Sequence, residues 1–289
     1  MKRILQGIFI ATALAGCSQL NNDLNTLDGR IEKIFDLPDQ LTESSGIIII
    51  DSLVWSFNDS GNDPLLIGVS LSDGHIVKKV FLQNADNNDW EDITQDTLNI
   101  YIGDIGNISG NRKNLAIYIL SKDSIDVKSY QTHSVEKITF SYEDQDDFTR
   151  QYHATKYDCE ALFNLDDSIF LMTKDWIHNH TSVYRLPKSP GDYVAKKIYE
   201  FDSEGLVTGA SYRADTRQLI LCGYSDYIPF VTKINLEKIT DLPDLRIKRY
   251  ELITDPGVQI EGIACYGNQI YLSSENSIEK QALYRFVIN

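Results

Sequence analysis

Apolar and polar side chains alternate over short stretches throughout this chain, and glycine, asparagine and aspartate interrupt them every few residues. Alternation of period two predicts strands, and the interruptions predict hairpins rather than helices. Residues 89–107, DWEDITQDTLNIYIGDIGN, carry the design most fully. An acidic pair, Glu91 and Asp92, precedes Ile93, as though a strand were leaving a polar rim, and a turn follows. Residues 98–102 read as a second strand, which Gly103-Asp104-Ile105-Gly106-Asn107 terminates. The unit is a hairpin with acid at both open ends.

Four other places repeat that order. Ser45-Gly46-Ile47 leads to Asp59, Cys159-Glu160-Ala161-Leu162 to Asp175, Gly209-Ala210-Ser211 to Asp226, and Ile260-Glu261-Gly262-Ile263 to Glu275. Aligned on Ile47, Ile93, Leu162, Ser211 and Ile263, the steps are 46, 69, 49 and 52 residues. Aligned on Asp59, Asp104, Asp175, Asp226 and Glu275, they are 45, 71, 51 and 49. Two markers in one register, with short strands between them, predict an all-β fold: a β-propeller of four-stranded blades. Five blades are readable, and the long second step, filled by the acidic, polar residues 143–157, leaves room for a sixth. The last repeat offers only the strands 260–265, 269–273 and 282–288. Residues 30–37, RIEKIFDL, are therefore expected to supply its fourth strand and close the ring from the N-terminal end.

Residues 1–16 read as a signal peptide, 17–29 as a polar tether and 30–289 as the propeller domain. Lys2 and Arg3 open the chain, residues 4–14 are mostly apolar, and Leu14-Ala15-Gly16-Cys17 follows. The apolar run is too short for a span, which needs roughly 20 residues. Its ending resembles the lipobox of bacterial lipoproteins, which implies acylation of Cys17 and lipid anchoring in the cell envelope, at the outer membrane or a periplasm-facing membrane. Loss of residues 1–16 removes two cations and no acid, taking the formal net charge from −15 to −17. That balance argues against nucleic acid and anionic lipid surfaces as partners, since both need basic patches. Cys159, Cys222 and Cys265 have no Cys-x-x-Cys spacing and read as small buried hydrophobes.

From Glu43, the run ESSGI, then VWSFNDSGNDPLLIGVSLSDGHIVKKVFL and NNDWEDI resembles the SdiA-regulated β-propeller family. The segment YDCEALFNLDDSIFLMTKDW is similar to the Asp-x-Glu-Ala-Leu segment of phytase-like esterase propellers. Together the motifs cover most of residues 40–289, and the resemblance implies an envelope propeller that binds calcium or another ligand. The fourth repeat departs from it, with Thr208-Gly209 where the others place an acid.

No Gly-x-Ser-x-Gly, His-Glu-x-x-His, Walker or Rossmann signature occurs in the sequence. His178-Asn179-His180 reads as an exposed loop, because neighbouring turn residues point different ways. The carboxylates are more informative. In a propeller the innermost strand begins, and the second strand ends, on one face of the disc. Glu91, Glu160 and Glu261 are accordingly expected to ring the channel mouth, with Asp59, Asp104, Asp175, Asp226 and Glu275 around them as face ligands or as turn-capping residues. Three carboxylates about 6 Å apart at an effective dielectric near 20 repel by roughly 3 kcal/mol per pair, which calls for a cation between them. Calcium fits an all-oxygen set, whereas zinc would need a histidine or cysteine pair.

The expected function is an envelope-anchored propeller that binds a divalent cation at its channel and a small molecule or envelope protein on its acidic face. The alternative is a metal-dependent hydrolase of a lactone, ester or phosphoester. Lys174 and Arg112 are the cations placed near that face, too few for a highly charged phosphate ester.

Overall fold

The computed structural model describes residues 26–125, 130–244 and 247–287. Cys17 and the signal segment lie outside the described residues. Within them the regular structure is 21 strands and two short 3-10 turns.

The chain enters through β1 (Thr26–Asp36) and then lays down antiparallel runs. The first is β2 (Ser44–Ile50), β3 (Leu53–Asn58), β4 (Leu65–Ser70) and β5 (Ile76–Leu82). The second is β6 (Trp90–Gln95), β7 (Asn99–Asp104), β8 (Ala116–Ser121) and, after β9 (Tyr130–His133), β10 (Glu136–Tyr142). The third is β11 (Asp158–Leu165), β12 (Ser168–Lys174), β13 (His180–Pro187) and β14 (Gly191–Asp202). The fourth is β15 (Leu206–Arg213), β16 (Gln218–Ser225), β17 (Ile228–Asn235) and β18 (Ile247–Ile253). The last is β19 (Ile260–Tyr266), β20 (Gln269–Ser274) and β21 (Ala282–Val287), on whose edge β1 lies antiparallel.

Outer strands join the runs. β9 lies parallel to β5, β10 parallel to β14, and β1 parallel to β18, so two of the three sheets have eight strands. The inner strands β2, β6, β11, β15 and β19 lie side by side in that order, and β19 returns to β2. Residues 143–157, where the sequence leaves room for a sixth blade, contain no strand.

Burial on both faces explains the apolar runs. Ile47 and Ile49 pack with Ala264 and Tyr271 of the last run, whereas Ile48 points the other way, towards Trp90 and Ile93 of the second. Each pair of neighbouring runs shares one such core cluster. A strand buried on both sides loses strict alternation, as in Ile47-Ile48-Ile49-Ile50. Hairpin turns use residues that tolerate positive φ: Asp51 and Ser52 join β2 to β3 at φ 49° and 62°.

β1 also fixes which end of the molecule is which. Asp36 pairs with Ala282, which pairs with Ser274 at the end of β20, while Arg30 pairs with Val287 at the far end. The chain therefore enters from the end opposite to the one where β19 begins and β20 finishes. Ile31 and Phe35 pack against the core and Leu37 is buried in it. Each such side chain contributes about 1.5–3 kcal/mol, against a typical total stability of roughly 5–15 kcal/mol. Deleting residues 30–37 is expected to leave an aggregating chain or one that melts far below the parent. An unchanged, monomeric melt of the truncated protein would show that β1 is dispensable.

Candidate functional site

Every inner strand carries a β-bulge near its start. The antiparallel register slips between Ser44 and Ile47 in β2, Trp90 and Ile93 in β6, Cys159 and Ala161 in β11, Val207 and Gly209 in β15, and Ile260 and Gly262 in β19. A bulge adds an unpaired residue and re-aims its side chain. The residues so placed are Ser45-Gly46, Glu91-Asp92, Glu160, Thr208 and Glu261, which is why the sequence repeat carries acid at this step.

The bulges open into one cavity of about 350 Å³. Its carboxylates are Glu43, Asp59, Asp89, Glu91, Glu160, Glu261 and Glu275, and its one lysine is Lys174. Lys174 Nζ lies 3.3 Å from Glu160 Oε1, and 4.8 and 5.1 Å from the ring centres of Trp176 and Tyr224. Burial alone would lower the pKa of this ammonium, but Glu160 and Glu261 more than reverse the effect, so it is raised and Lys174 stays charged. Tyr152, His153 and Trp176 stack at the rim with centroids 4.1 and 4.2 Å apart.

One side of the cavity differs from the rest. Carboxylate oxygens of Asp59, Asp89 and Glu91 lie within 4.8 Å of one another, the one group among the described residues with metal-ligand spacing. Glu91 is only 9 % exposed and has no hydrogen-bond or ion-pair partner among the described residues. Burial, then the charges of Glu160, Asp59 and Asp89, push its carboxyl well above the usual range. Burial and the Asp89 charge push Asp59 up to about 7. Asp89 is pushed up to about 6 by burial, against the lowering influence of Arg112. Glu261, across the cavity, is pushed up to about 8 by burial, with Lys174 opposing. Gly106 makes room for the group: a Cβ there would collide with Glu91 Oε1 and stand 2.5 Å from Asp89 Oδ2.

Glu91, Glu160, Glu261, Asp59 and Glu275 all line this cavity. Three other expected face residues do not. Asp104 is fully buried; it accepts from the Asp89 amide at 3.0 Å, from Asn88 Nδ2 at 2.7 Å and from Arg112 Nη2 at 2.7 Å, and so holds the Asp89 main chain in place. Asp175 accepts from the amides of Ile177 and His178 and contacts His178 Nδ1, capping the turn after β12. Asp226 occupies an exposed two-residue hairpin turn with Tyr227, at φ 47° and 65°. Thr208, in the repeat without an acid, donates instead to the Ile260 carbonyl at 2.9 Å. His178 and His180 face Asp175 and Glu200 separately. Cys159, Cys222 and Cys265 are free thiols.

Asp89 and Glu43 are cavity residues that sequence reasoning missed. Each stands two residues before a bulge position, Glu91 or Ser45, so the period of two could have found them. Tyr152 comes from the strandless segment 143–157 and left no such signal.

Fold and site define a class: an all-β, propeller-like protein with an acidic cavity where its inner strands begin. Residues 1–18 match a family described as "Prokaryotic membrane lipoprotein lipid attachment site", which supports lipid anchoring in the bacterial envelope. No helix among the described residues is long and apolar enough to cross a membrane. No curated protein matches the chain. Among solved structures, the glutaminyl cyclase of Myxococcus xanthus superposes with a TM-score of 0.52 at 9% identity, covering 91% of this chain and 97% of that one. The PQQ-bound aldose sugar dehydrogenase of Streptomyces coelicolor gives 0.48 at 9% identity over 90% and 98%. A putative TolB from Agrobacterium tumefaciens gives 0.43 at 14% identity over 86% and 77%. At 9% identity the likeness to the glutaminyl cyclase concerns the fold alone.

Proposed function

We propose that this chain is a lipid-anchored envelope propeller of five four-stranded blades, closed by β1 and akin to the SdiA-regulated and phytase-like propellers. In this reading it binds calcium through Asp59, Asp89 and Glu91 and a ligand or protein on the same acidic face. The observation that carries it is Glu91, a carboxylate nine-tenths buried, without a partner, beside two others within 4.8 Å. Leaving such a group charged and unpaired costs several kcal/mol, which a cation recovers. Calcium suits an all-oxygen set that backbone carbonyls and water can complete at 6–8 ligands, while zinc prefers the nitrogen and sulfur ligands absent from this group. Glu160 is held by Lys174 and Glu261 lies across the cavity, so both are neighbours of the ion rather than its first ligands.

Calorimetry on metal-stripped, folded protein tests the reading. Calcium is expected to bind saturably and raise the melting temperature, by about 2.7 kcal/mol of stabilisation at a hundredfold excess over Kd. Glu91→Gln should lower the affinity roughly tenfold or more, a loss of about 1.4 kcal/mol. No binding by the parent, or equal binding by Glu91→Gln, would refute the site.

One observation favours the hydrolytic alternative. Glu261 lines the cavity with a carboxyl pushed up to about 8, in the range where a group can exchange protons near neutrality. A panel of lactones and esters assayed with calcium separates the readings: turnover abolished by Glu261→Gln supports the hydrolase, and no turnover leaves the binding protein.

A further inference from the structure

A divalent cation and Lys174 together could pair with three of the cavity's seven carboxylates, which leaves four without a cationic partner. Glu261 and Glu275 adjoin the wall residues Tyr224 and Gln259: the Glu275 amide donates to the Gln259 carbonyl at 3.2 Å, the Glu261 charge acts on Tyr224, and Glu43 acts in turn on Glu275. Those two wall residues are shared with a second, mainly apolar groove of about 290 Å³, lined also by Tyr227, Pro229, Val258 and Ile278. Tyr227 is 95 % exposed and Ile278 80 %, large apolar surfaces left in water at the edge of a charged cavity. Joined apolar and anionic compartments of this size match a small-molecule site. Exposed apolar surface rimmed by polar groups marks a place of contact.

The site also contains its own example of how an ammonium is held. Lys174 sits against a carboxylate with its Nζ about 5 Å from two aromatic rings, the arrangement that recognises organic cations. Glu91, nearly buried and without a partner, adds a carboxylate that nothing in the protein neutralises. Because β1 enters from the opposite end of the molecule, the cavity faces away from the point where the lipid-bearing segment joins the fold.

We infer that cavity and groove together bind one soluble organic ammonium carrying an apolar chain or ring, its charged head among Glu43, Glu261 and Glu275 and its apolar part against Tyr227, Val258 and Ile278. The inference rests on the acidic face being the binding face, and is independent of which metal occupies it. An anionic or zwitterionic amphiphile would meet uncompensated carboxylates on entry.

The test is titration of the whole, unacylated chain with n-octylammonium, methylammonium and n-octanoate, followed by calorimetry. n-Octylammonium is expected to bind at least about tenfold tighter than methylammonium, and n-octanoate not at all. Ile278→Ser, at a position 80 % exposed, should bring n-octylammonium down to the methylammonium level and leave calcium binding unchanged. Glu275→Gln should weaken both ammonium ions. Equal binding of n-octanoate, or n-octylammonium binding that survives Ile278→Ser, overturns the inference. Calcium is titrated separately: if calcium fails and n-octylammonium binds as stated, the metal reading falls and this one stands.

Discussion

Asp92→Ala should be the most damaging single substitution in the protein. Asp92 is fully buried where the inner strands converge, and its carboxylate ties three of their amides together. Oδ1 accepts from Ile93 N at 2.8 Å, and Oδ2 accepts from Leu162 N at 2.8 Å and Ala210 N at 3.2 Å, on β6, β11 and β15 respectively. Burial pushes its carboxyl well above the usual range, and the three amide bonds pull it back. Gly46 of β2 completes the junction, since a Cβ there would stand 2.7 Å from Asp92 Oδ1. Alanine would strand these three buried N–H groups at about 1–3 kcal/mol each, a total of roughly 3–9 kcal/mol from a fold whose whole stability is on the order of 5–15 kcal/mol. Asp92→Asn keeps one acceptor and should fall between alanine and the parent. Urea melts decide the matter; an alanine variant within about 0.5 kcal/mol of the parent would mean that the strands hold together without this junction.

Metal-free protein should lose stability as pH rises from about 4 to 8. Asp59, Asp89 and Glu261 carry folded-state values pushed up to about 7, 6 and 8, from ordinary values near 4. Between those limits the unfolded chain has released protons that the folded cavity retains, so unfolding is favoured as pH increases. Below about 4 both states are protonated at these groups and the penalty vanishes. Asp96 and Glu200 act in the opposite sense: both are held down to about 2, Asp96 by amide and side-chain hydrogen bonds that outweigh burial, Glu200 chiefly by Lys197. Their contribution is present above about 4 and fades as pH falls towards 2, so the metal-free optimum should lie near pH 4–5. Each unit of displacement is worth about 1.4 kcal/mol, and the linked carboxylates share a total on the order of several kcal/mol. Calcium competes with the retained protons, so it should stabilise little at pH 5 and strongly at pH 8. Melting curves with and without calcium across that range check both signs. A flat metal-free profile would show that the cavity acids ionise freely.

The local signals were strong where a single strand or turn carries them. Ile47 and Ile93, with their partners in the other repeats, mark the inner strands. The missing strand of the last repeat could be assigned to residues 30–37 because an unpaired edge is costly and that segment has the right period. Five of the eight expected acids reach the cavity, since the repeat that spaces them is also the repeat of the bulges.

Asp104, Asp175 and Asp226 look like their equivalents in sequence and part from them in space. Whether an acid at a strand end faces the cavity, braces a neighbour or caps a turn depends on what comes within 3 Å of it, and those groups arrive from distant segments or from the turn's own amides. Arg112 and the Asp89 amide claim Asp104, and the His178 turn claims Asp175. Likewise Lys174 and Glu160 were readable as residues but not as a pair, and Tyr152 reaches the rim from a segment with no periodic pattern. Strand identity follows from side-chain alternation along a few neighbouring residues, which the sequence states directly. The site's charge pairing and its raised carboxyls arise where five inner strands converge, through distances between residues far apart along the chain.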